Sequence, residues 1–245
     1  MLTRRIANFE VSAIGLGCMN LSHAYGAPVS AEQGERVLLA ALDAGVTLFD
    51  TATLYGFGAN ETLVGRVLKQ HRSRFTLASK CGMQGVDVNG DGKLVRVIDG
   101  RPATLRQTCE DSLRRLQTDV IDLYQIHWPE RHVPAFGNLY YDPKKETSET
   151  TIGEQLQSLA GLVKAGKIRH IGLSNETPYG VHEFVRLAEQ HGLPRVASVQ
   201  NPYCLINRSW ENGLDETCDR LGVSLLAYSP LAFGLLTGKY DNSGI

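Results

Sequence analysis

The sequence lacks the features of several classes of protein. It has no apolar run long enough to span a membrane, and Asn8, Glu10 and Ser12 interrupt the short apolar pieces of its amino-terminal segment, unlike a signal peptide. It also lacks net charge, because 25 Lys and Arg residues are offset by 26 Asp and Glu residues. Without a basic field, binding to nucleic acid or to an anionic membrane surface is not expected. We expect a soluble protein whose partners are small molecules.

Motifs for disulfides and metals are missing as well. The five cysteines are scattered without a CxxC spacing, which predicts reduced thiols in a cytoplasmic protein. His127 and His132 have no HExxH or carboxylate spacing around them, so no catalytic metal is expected. The run DVNGDG at 87–92 resembles the start of a calcium loop, but Ile98 at the twelfth position cannot supply the required carboxylate. We interpret this run as the turn of a β-hairpin.

The chain does contain a repeated order of amphipathic helical stretch, glycine and short apolar run. The glycines of this repeat are Gly45, Gly166, Gly192 and Gly222. Glycine suits the left-handed position that ends a helix, and short apolar runs suit strands that are buried on both faces. The repeat predicts a parallel sheet. With 245 residues, the chain has the length of one α/β domain, residues 1–245, built as a (β/α)8 TIM barrel.

The pattern predicts seven strands and six helices. The strands are expected near 14–17, 46–50, 75–80, 120–127, 168–173, 196–200 and 223–228. The helices are expected near 31–44, 60–71, 103–117, 151–165, 178–191 and 210–221. Capping boxes can form from Ser30 to Gln33 and from Thr104 to Gln107, at two of the helix starts.

Two segments interrupt the alternation, and one unit of the barrel is missing. Residues 82–101 and 129–150 follow the third and fourth strands, and both are candidate walls of a pocket. Nothing after Tyr228 predicts another strand. We therefore expect a barrel whose eighth β/α unit is absent from this chain, most simply because the chain is truncated. The edges of its first and last strands would then be unpaired.

Polar residues end successive predicted strands. Asp50 ends VTLFD and is soon followed by Tyr55, Lys80 ends FTLASK, and His127 ends VIDLYQIH. Because strand ends share one face of a β/α barrel, these residues should meet in one pocket. There Lys80 would lower the pKa of a Tyr55 proton donor, Asp50 would hold Lys80, and His127 would orient a carbonyl. Taken singly, the four could instead be a turn cap, an exposed aromatic, a solvated strand end and a core histidine.

Five runs of the sequence, spread over residues 11–240, resemble the aldo-keto reductase family of nicotinamide-dependent oxidoreductases. They are GVTLFDTATLYGFGANETLVGRVL, FTLASK, DVIDLYQIHWP, IGLSN and LLAYSPLAFGLLTGKY. The resemblance implies that Asp50, Tyr55, Lys80 and His127 are the catalytic set. It also implies reduction of aldehydes or ketones to alcohols by hydride transfer from NADPH, with Tyr55 as proton donor. Since no GxGxxG follows a strand, NADPH/NADP would be bound by the barrel itself.

The resemblance also implies the cofactor contacts. Ser174, Asn175 and Gln200 would bind the nicotinamide carboxamide, and Tyr228 would stack on its ring. The loop after the seventh strand would bind phosphate, through Ser229, Pro230, Leu231 and Gly234. The alternative for Ser174 and Asn175 is a cap on the helix that starts near Pro178.

Three aromatic residues are candidates for the substrate pocket: Tyr25, Phe57 and Trp128. Ordinary packing is the alternative for each. Two other functions also remain open for the whole chain. Potassium-channel β subunits share this barrel and bind a nicotinamide cofactor while serving a channel, and the chain could also be an inactive reductase fragment. The complete catalytic set favours an enzyme with a small-molecule carbonyl substrate, and leaves a homo-oligomer open.

Overall fold

The computed structural model describes residues 1–23, 26–134, 140–146 and 148–240. Its strands are β1 (Thr3–Ile6), β2 (Phe9–Ser12), β3 (Leu16–Gly17), β4 (Leu48–Asp50), β5 (Thr76–Cys81), β6 (Met83–Val86), β7 (Val95–Ile98), β8 (Ile121–Ile126), β9 (Ile168–Ser174), β10 (Val196–Pro202) and β11 (Ser224–Tyr228). Its α-helices are α1 (Ala31–Asp43), α2 (Ala59–Leu68), α3 (Pro102–Leu116), α4 (Ile152–Lys164), α5 (Pro178–His191) and α6 (Leu214–Leu221).

Seven of these strands form one parallel sheet, in the order β3-β4-β5-β8-β9-β10-β11. One of the six α-helices lies between each strand of this sheet and the next along the chain. This is the expected βα alternation, and it supplies seven of the eight strands of a (β/α)8 barrel. Within the described part of the chain, β3 and β11 are the two edges of the sheet and do not pair with each other.

The main hydrophobic core lies between the sheet and the helices. Phe49 and Leu77 on the strands pack there with Leu38 and Leu105 on the helices. Because side chains alternate across a strand, the neighbours of Phe49 face the interior of the barrel instead. The buried strands therefore supply apolar residues to the core on one side and candidate site residues on the other. None of the helices in the described ranges has the length and apolar character needed to cross a membrane.

An amino-terminal hairpin closes one end of the barrel, and the sequence pattern did not predict it. Strands β1 and β2 pair antiparallel through a tight turn at Ala7, where φ is 50°. The hairpin places Ile6 and Val11 in a second apolar cluster. The strand residues that complete this cluster are Leu48, Ala78, Leu123 and Ala197. The hairpin thus covers the end of the barrel opposite the strand carboxyl ends.

Helix starts agree only partly with the expectation. Helix α1 is capped by Ser30, whose hydroxyl accepts the backbone N–H three residues further on at 3.2 Å. The capping box expected at Thr104 is wrong, because α3 begins at Pro102 with Arg101 as its N-cap. Proline suits the first helical position, where its missing N–H costs nothing. The Thr104 hydroxyl instead donates to Asp99 Oδ2 at 2.9 Å.

Two helices are shorter than expected. Helix α2 ends at Leu68, and a 3₁₀ segment, Lys69–Arg74, completes the predicted helical stretch. The stretch expected from residue 210 is a 3₁₀ turn, Ser209–Glu211, followed by α6. Gly213 separates the two, because its φ of 93° is incompatible with a continuous right-handed helix.

The run 87–92 lies at the turn of a β-hairpin, as expected, and the strands of that hairpin, β6 and β7, were not among those predicted. In its turn the Asp87 carboxylate accepts the backbone N–H groups of Gly90, Asp91 and Gly92, at 2.7, 3.1 and 2.9 Å. The acidic run therefore stabilises its own turn. In the described part of the chain, no group of three or more His, Cys, Asp or Glu residues could hold a metal ion. All five cysteines are free, and burial raises the pKa of Cys218 to about 12.

Candidate active site

Asp50, Tyr55 and Lys80 meet at the carboxyl ends of β4 and β5. The Lys80 side chain is only 1% exposed, and its ammonium donates to Asp50 Oδ2. It also donates to the Tyr55 hydroxyl and to the backbone carbonyl of Thr51, each at 3.1 Å. These three acceptors satisfy the three N–H bonds of the ammonium. Lys80 is thus a buried cation in direct contact with the Tyr55 hydroxyl.

The charges of this cluster act on one another. Burial alone would lower the pKa of Lys80, but Asp50 and Tyr55 outweigh it and raise that pKa to about 12. Burial raises the pKa of Tyr55, and the Lys80 charge opposes that rise without cancelling it. Lys80 therefore acts on Tyr55 in the predicted direction, while burial leaves the pKa of the hydroxyl above its ordinary value. The hydroxyl is protonated, which is the form that a proton donor needs.

His127 lies beside Tyr55, directly after β8. The centres of the two rings are 5.6 Å apart, and their planes are nearly perpendicular. Burial, and then the charge of Lys80, hold the pKa of His127 well below its usual value of 6.5. Its Nδ1 is buried and has no hydrogen-bond partner among the described residues. The site thus presents a neutral imidazole next to a protonated phenol.

Gln125 belongs to the same cluster, although sequence reasoning missed it. Asp50 Oδ1 accepts hydrogen bonds from Gln125 Nε2 at 2.9 Å and from Gln200 Nε2 at 3.1 Å. In the sequence, Gln125 looks like an interruption of an apolar strand. The available signal was its position two residues before His127, because residues two apart on a strand face the same side.

Ser174, Asn175 and Tyr228 form a second polar group at the barrel mouth. The Asn175 amide donates to the His127 carbonyl at 2.9 Å and to Ser174 Oγ at 3.1 Å. Its oxygen accepts the Tyr228 hydroxyl at 2.8 Å. Asn175 adopts a left-handed backbone conformation, with φ of 57°. Three of the expected cofactor residues are therefore linked to one of the catalytic candidates.

The helix-cap alternative for Ser174 and Asn175 is wrong. The N-cap of α5 is Thr177, whose hydroxyl accepts the Gly180 N–H at 3.3 Å. Ser174 Oγ donates instead to the backbone carbonyl of Gln200, at 2.9 Å. The polar groups at the end of β9 are therefore not used by the helix.

The loop after β11 carries the last group of expected cofactor residues. Ser229 has a left-handed φ of 55°, and its carbonyl accepts the Ala232 N–H at 2.9 Å. Pro230 and Leu231 follow on the surface, and the Gly234 N–H donates to the Leu231 carbonyl at 2.9 Å. The loop therefore continues from Tyr228 at the barrel mouth, with the Gly234 N–H engaged in its own turn.

Two of the three expected substrate residues lie close to Tyr55. Trp128 packs on the apolar cluster that contains Tyr55 and Met83. Phe57, which is 41% exposed, covers the hairpin strand β6 so closely that a Cβ added at Gly85 would lie 2.2 Å from its ring. The hairpin after β5 is therefore one wall of this region.

The third expected substrate residue, Tyr25, lies outside the described residues. The nearby His23 was not predicted. Its ring centre lies 6.0 Å from that of Tyr55 and 6.5 Å from that of Phe57. His23 therefore adds a polar ring to the region between the candidate proton donor and the hairpin wall.

Comparisons with known proteins agree with this geometry. The sequence profile described as the aldo/keto reductase family matches residues 13–245. Protein tas from Escherichia coli is 42% identical over 246 residues, which cover 96% of this chain and 69% of that protein. The chain therefore belongs to the aldo/keto reductase family.

Solved structures of reductases have the same fold. A glycerol dehydrogenase from Gluconobacter oxydans superposes with a TM-score of 0.80 at 34% identity, covering 99% of this chain and 68% of the other. An aldo/keto reductase from Klebsiella pneumoniae, in complex with NADP and acetate, gives a TM-score of 0.71 at 29% identity, covering 95% of this chain and 70% of the other. The expected (β/α)8 barrel fold is thus confirmed, and the family makes this chain an oxidoreductase of the aldo-keto reductase kind.

Proposed function

We propose that this protein reduces aldehydes or ketones to alcohols, with NADPH as the hydride donor and Tyr55 as the proton donor. The observation that carries the proposal is the contact of the buried Lys80 ammonium with the Tyr55 hydroxyl at 3.1 Å, next to a neutral His127. Family membership and the NADP complex of the Klebsiella relative support the choice of cofactor. The free cysteines fit the reducing cytoplasm, which we propose as the location.

The residues of the site would act as follows. The substrate oxygen accepts hydrogen bonds from the Tyr55 hydroxyl and from His127, which orients the carbonyl carbon. NADPH, when bound, supplies the hydride to that carbon. As the oxygen gains negative charge, the Tyr55 proton moves to it, and the Lys80 ammonium stabilises the phenolate that remains. A proton from solvent then restores the Tyr55 hydroxyl.

The barrel mouth has groups that fit a nicotinamide. Gln200 donates to Asp50 through Nε2, and its Oε1 accepts no hydrogen bond from the described residues, so it can accept one from a carboxamide. We propose that Ser174 and Asn175 complete this contact and that Tyr228 stacks on the ring. The loop residues Ser229, Pro230, Leu231 and Gly234 would bind the phosphates.

Oxidation of NADPH in the presence of a panel of aldehydes and ketones tests the function. We expect saturable turnover with at least one carbonyl, and loss of that turnover in Lys80→Met. Lys69→Met is the matched control, because Lys69 is exposed and its ammonium donates to Gln117, outside the candidate site. Saturable NADPH binding without oxidation across the panel would instead favour a regulatory subunit resembling channel β subunits, or an inactive fragment.

A further inference from the structure

We propose that Gln125 is a positioning residue, which fixes the Asp50 carboxylate and thereby holds the Lys80 ammonium against the Tyr55 hydroxyl. This inference rests on the proposed function, because it assigns a role within the same proton-donating site. Gln125 has 0% exposure and lies in the interior of the barrel. Its side chain hydrogen-bonds to Asp50 and Gln200, and among the described residues no hydrogen bond joins it to Tyr55, so its effect would act through Asp50.

The two carboxylate oxygens of Asp50 have different hydrogen-bond donors. Oδ2 of Asp50 accepts from Lys80, whereas Oδ1 accepts from Gln125 at 2.9 Å. With a separate donor on each oxygen, the plane of the carboxylate is fixed. Without Gln125, Oδ1 retains the longer hydrogen bond from Gln200 at 3.1 Å. The carboxylate then has more freedom to rotate, and the Lys80 ammonium that follows it loses its fixed position against Tyr55.

Gln200 and Gln125 both donate hydrogen bonds to Asp50 Oδ1. Gln200 Nε2 donates to Oδ1 at 3.1 Å and approaches Gln125 Oε1 at 3.4 Å. If Gln200 turns toward a bound cofactor, Asp50 keeps only the hydrogen bond from Gln125 on that oxygen. Gln125 thus maintains the position of Asp50 whichever way Gln200 points.

The sheet leaves room for the Gln125 side chain. Gln125 pairs with Lys80 on β5 and with Gly172 on β9. A Cβ added at Gly172 would lie 2.8 Å from Gln125 Cγ, closer than real side chains approach. The glycine therefore creates the space in which the amide reaches Asp50.

Two substitutions test the proposal. Gln125→Met keeps the size of the side chain but removes its donor, and should lower kcat about 10- to 100-fold, as expected for a lost hydrogen bond to a charged group. The KM for the carbonyl and the Kd for NADPH should change little. Gln125→Glu keeps the donor only while the introduced carboxyl is protonated. Its kcat relative to wild type should therefore be near normal at low pH and fall through one new ionisation as the pH rises.

A readout that needs no turnover accompanies these rates. Burial and the Asp50 charge raise the pKa of the introduced carboxyl, whereas the Lys80 charge on the neighbouring strand lowers it. We expect the first two to prevail, so that the pKa in the folded protein lies above its value in the unfolded chain. The folded form of Gln125→Glu then holds its proton more tightly, so its unfolding free energy should fall relative to wild type as the pH rises. A pH dependence that parallels wild type would mean that position 125 does not face Asp50, and would overturn the inference.

Gln155 provides the matched control. It is also buried, and its Nε2 donates to the Glu130 carboxylate at 3.2 Å, outside the candidate site. Gln155→Met and Gln155→Glu should affect stability as their counterparts do, but leave kcat unchanged.

The possible failures are distinguishable. If the wild-type chain fails to oxidise NADPH with every carbonyl of the panel, the proposed function fails. If wild type turns over and Gln125→Met keeps its kcat, or if Gln155→Met loses as much activity, then the positioning role is wrong while the proposed function stands.

Discussion

Two layers of side chains in the interior of the barrel come from the same strands, and each residue of one layer is two positions from a residue of the other. The lower layer contains Leu48, Ala78 and Leu123, and is covered by the amino-terminal hairpin. The upper layer contains Asp50, Lys80 and Gln125, and lies toward the strand carboxyl ends. At about 3.3 Å per residue, the layers are separated by only about 6.6 Å. An apolar cluster and the proposed catalytic cluster therefore occupy adjacent levels of one sheet.

The difference between the layers explains why the charged groups of the upper layer, Asp50 and Lys80, are so fully hydrogen-bonded. A buried charge costs several kcal/mol unless it is paired and its remaining polar groups are satisfied. The apolar lower layer offers no partner, so the Asp50 carboxylate obtains its donors sideways, from Lys80, Gln125 and Gln200. The hydrogen bonds to Asp50 thus compensate for the burial of the same charged groups that act on Tyr55.

Removing the Tyr55 hydroxyl should have the largest effect. Tyr55→Phe should lower kcat for carbonyl reduction about 10²- to 10⁴-fold, the usual size of general acid catalysis, and leave the Kd for NADPH nearly unchanged. Steady-state kinetics and fluorescence titration measure the two quantities. Tyr124→Phe is the control, since Tyr124 is also buried but packs in the core between the sheet and the helices. Wild-type turnover in Tyr55→Phe would contradict the assigned role.

A substitution in the lower layer should have the opposite profile. Leu123→Ala removes a fully buried side chain, and should lower the unfolding free energy by about 2–5 kcal/mol through lost burial and the cavity that remains. Its kcat should fall far less than that of Tyr55→Phe while the protein is folded. Chemical denaturation and kinetics on one preparation measure both. Leu205→Ala, at a leucine that is 72% exposed, should change neither. An equal loss of kcat in Leu123→Ala would mean that the layers are not separable.

Removing the Tyr228 ring tests the mouth above the upper layer. Tyr228→Ala should weaken NADPH binding by about 1–2 kcal/mol, the scale of lost stacking and apolar burial. Tyr228→Phe should keep most of this affinity, because it loses only the hydroxyl that donates to Asn175. Fluorescence titration decides, and equal Kd values for Tyr228→Ala and wild type would contradict the stacking role.

The upper layer was largely predictable from the sequence, because strand ends and period-two alternation place Asp50, Lys80 and His127 on one face. Gln125 was missed for a physical reason. Its partner Asp50 is on another strand, and neither the pairing of β5 with β8 nor the space beside Gly172 is visible in one sequence.

The lower layer was less predictable. The hairpin that contributes Ile6 and Val11 consists of two four-residue strands, and four of the eight residues are exposed, so the apolar pattern is weak there. The Thr104 cap failed because α3 already begins at Pro102, which places Thr104 inside the first turn of the helix, where its hydroxyl donates to Asp99. Contacts with distant strands decided the position of the hairpin.

The smallest expected effect compares two histidines: His127, just beyond the upper layer at the strand carboxyl ends, and His170, which pairs with Leu123 at the level of the lower layer. Burial lowers the pKa of His127 well below 6.5. It lowers the pKa of His170 less, because that side chain is only half-buried; its Nε2 lies 2.7 Å from Asn8 Oδ1 in the hairpin. Below pH 6.5, His127 binds a proton in the unfolded chain but stays neutral in the folded protein, so the unfolding free energy falls as the pH falls. The slope is at most about 1.4 kcal/mol per pH unit from one group. His127→Gln should remove more of the slope, measured by denaturation at several pH values, than His170→Gln does. A larger effect at His170 would mean that the upper layer is the more hydrated of the two.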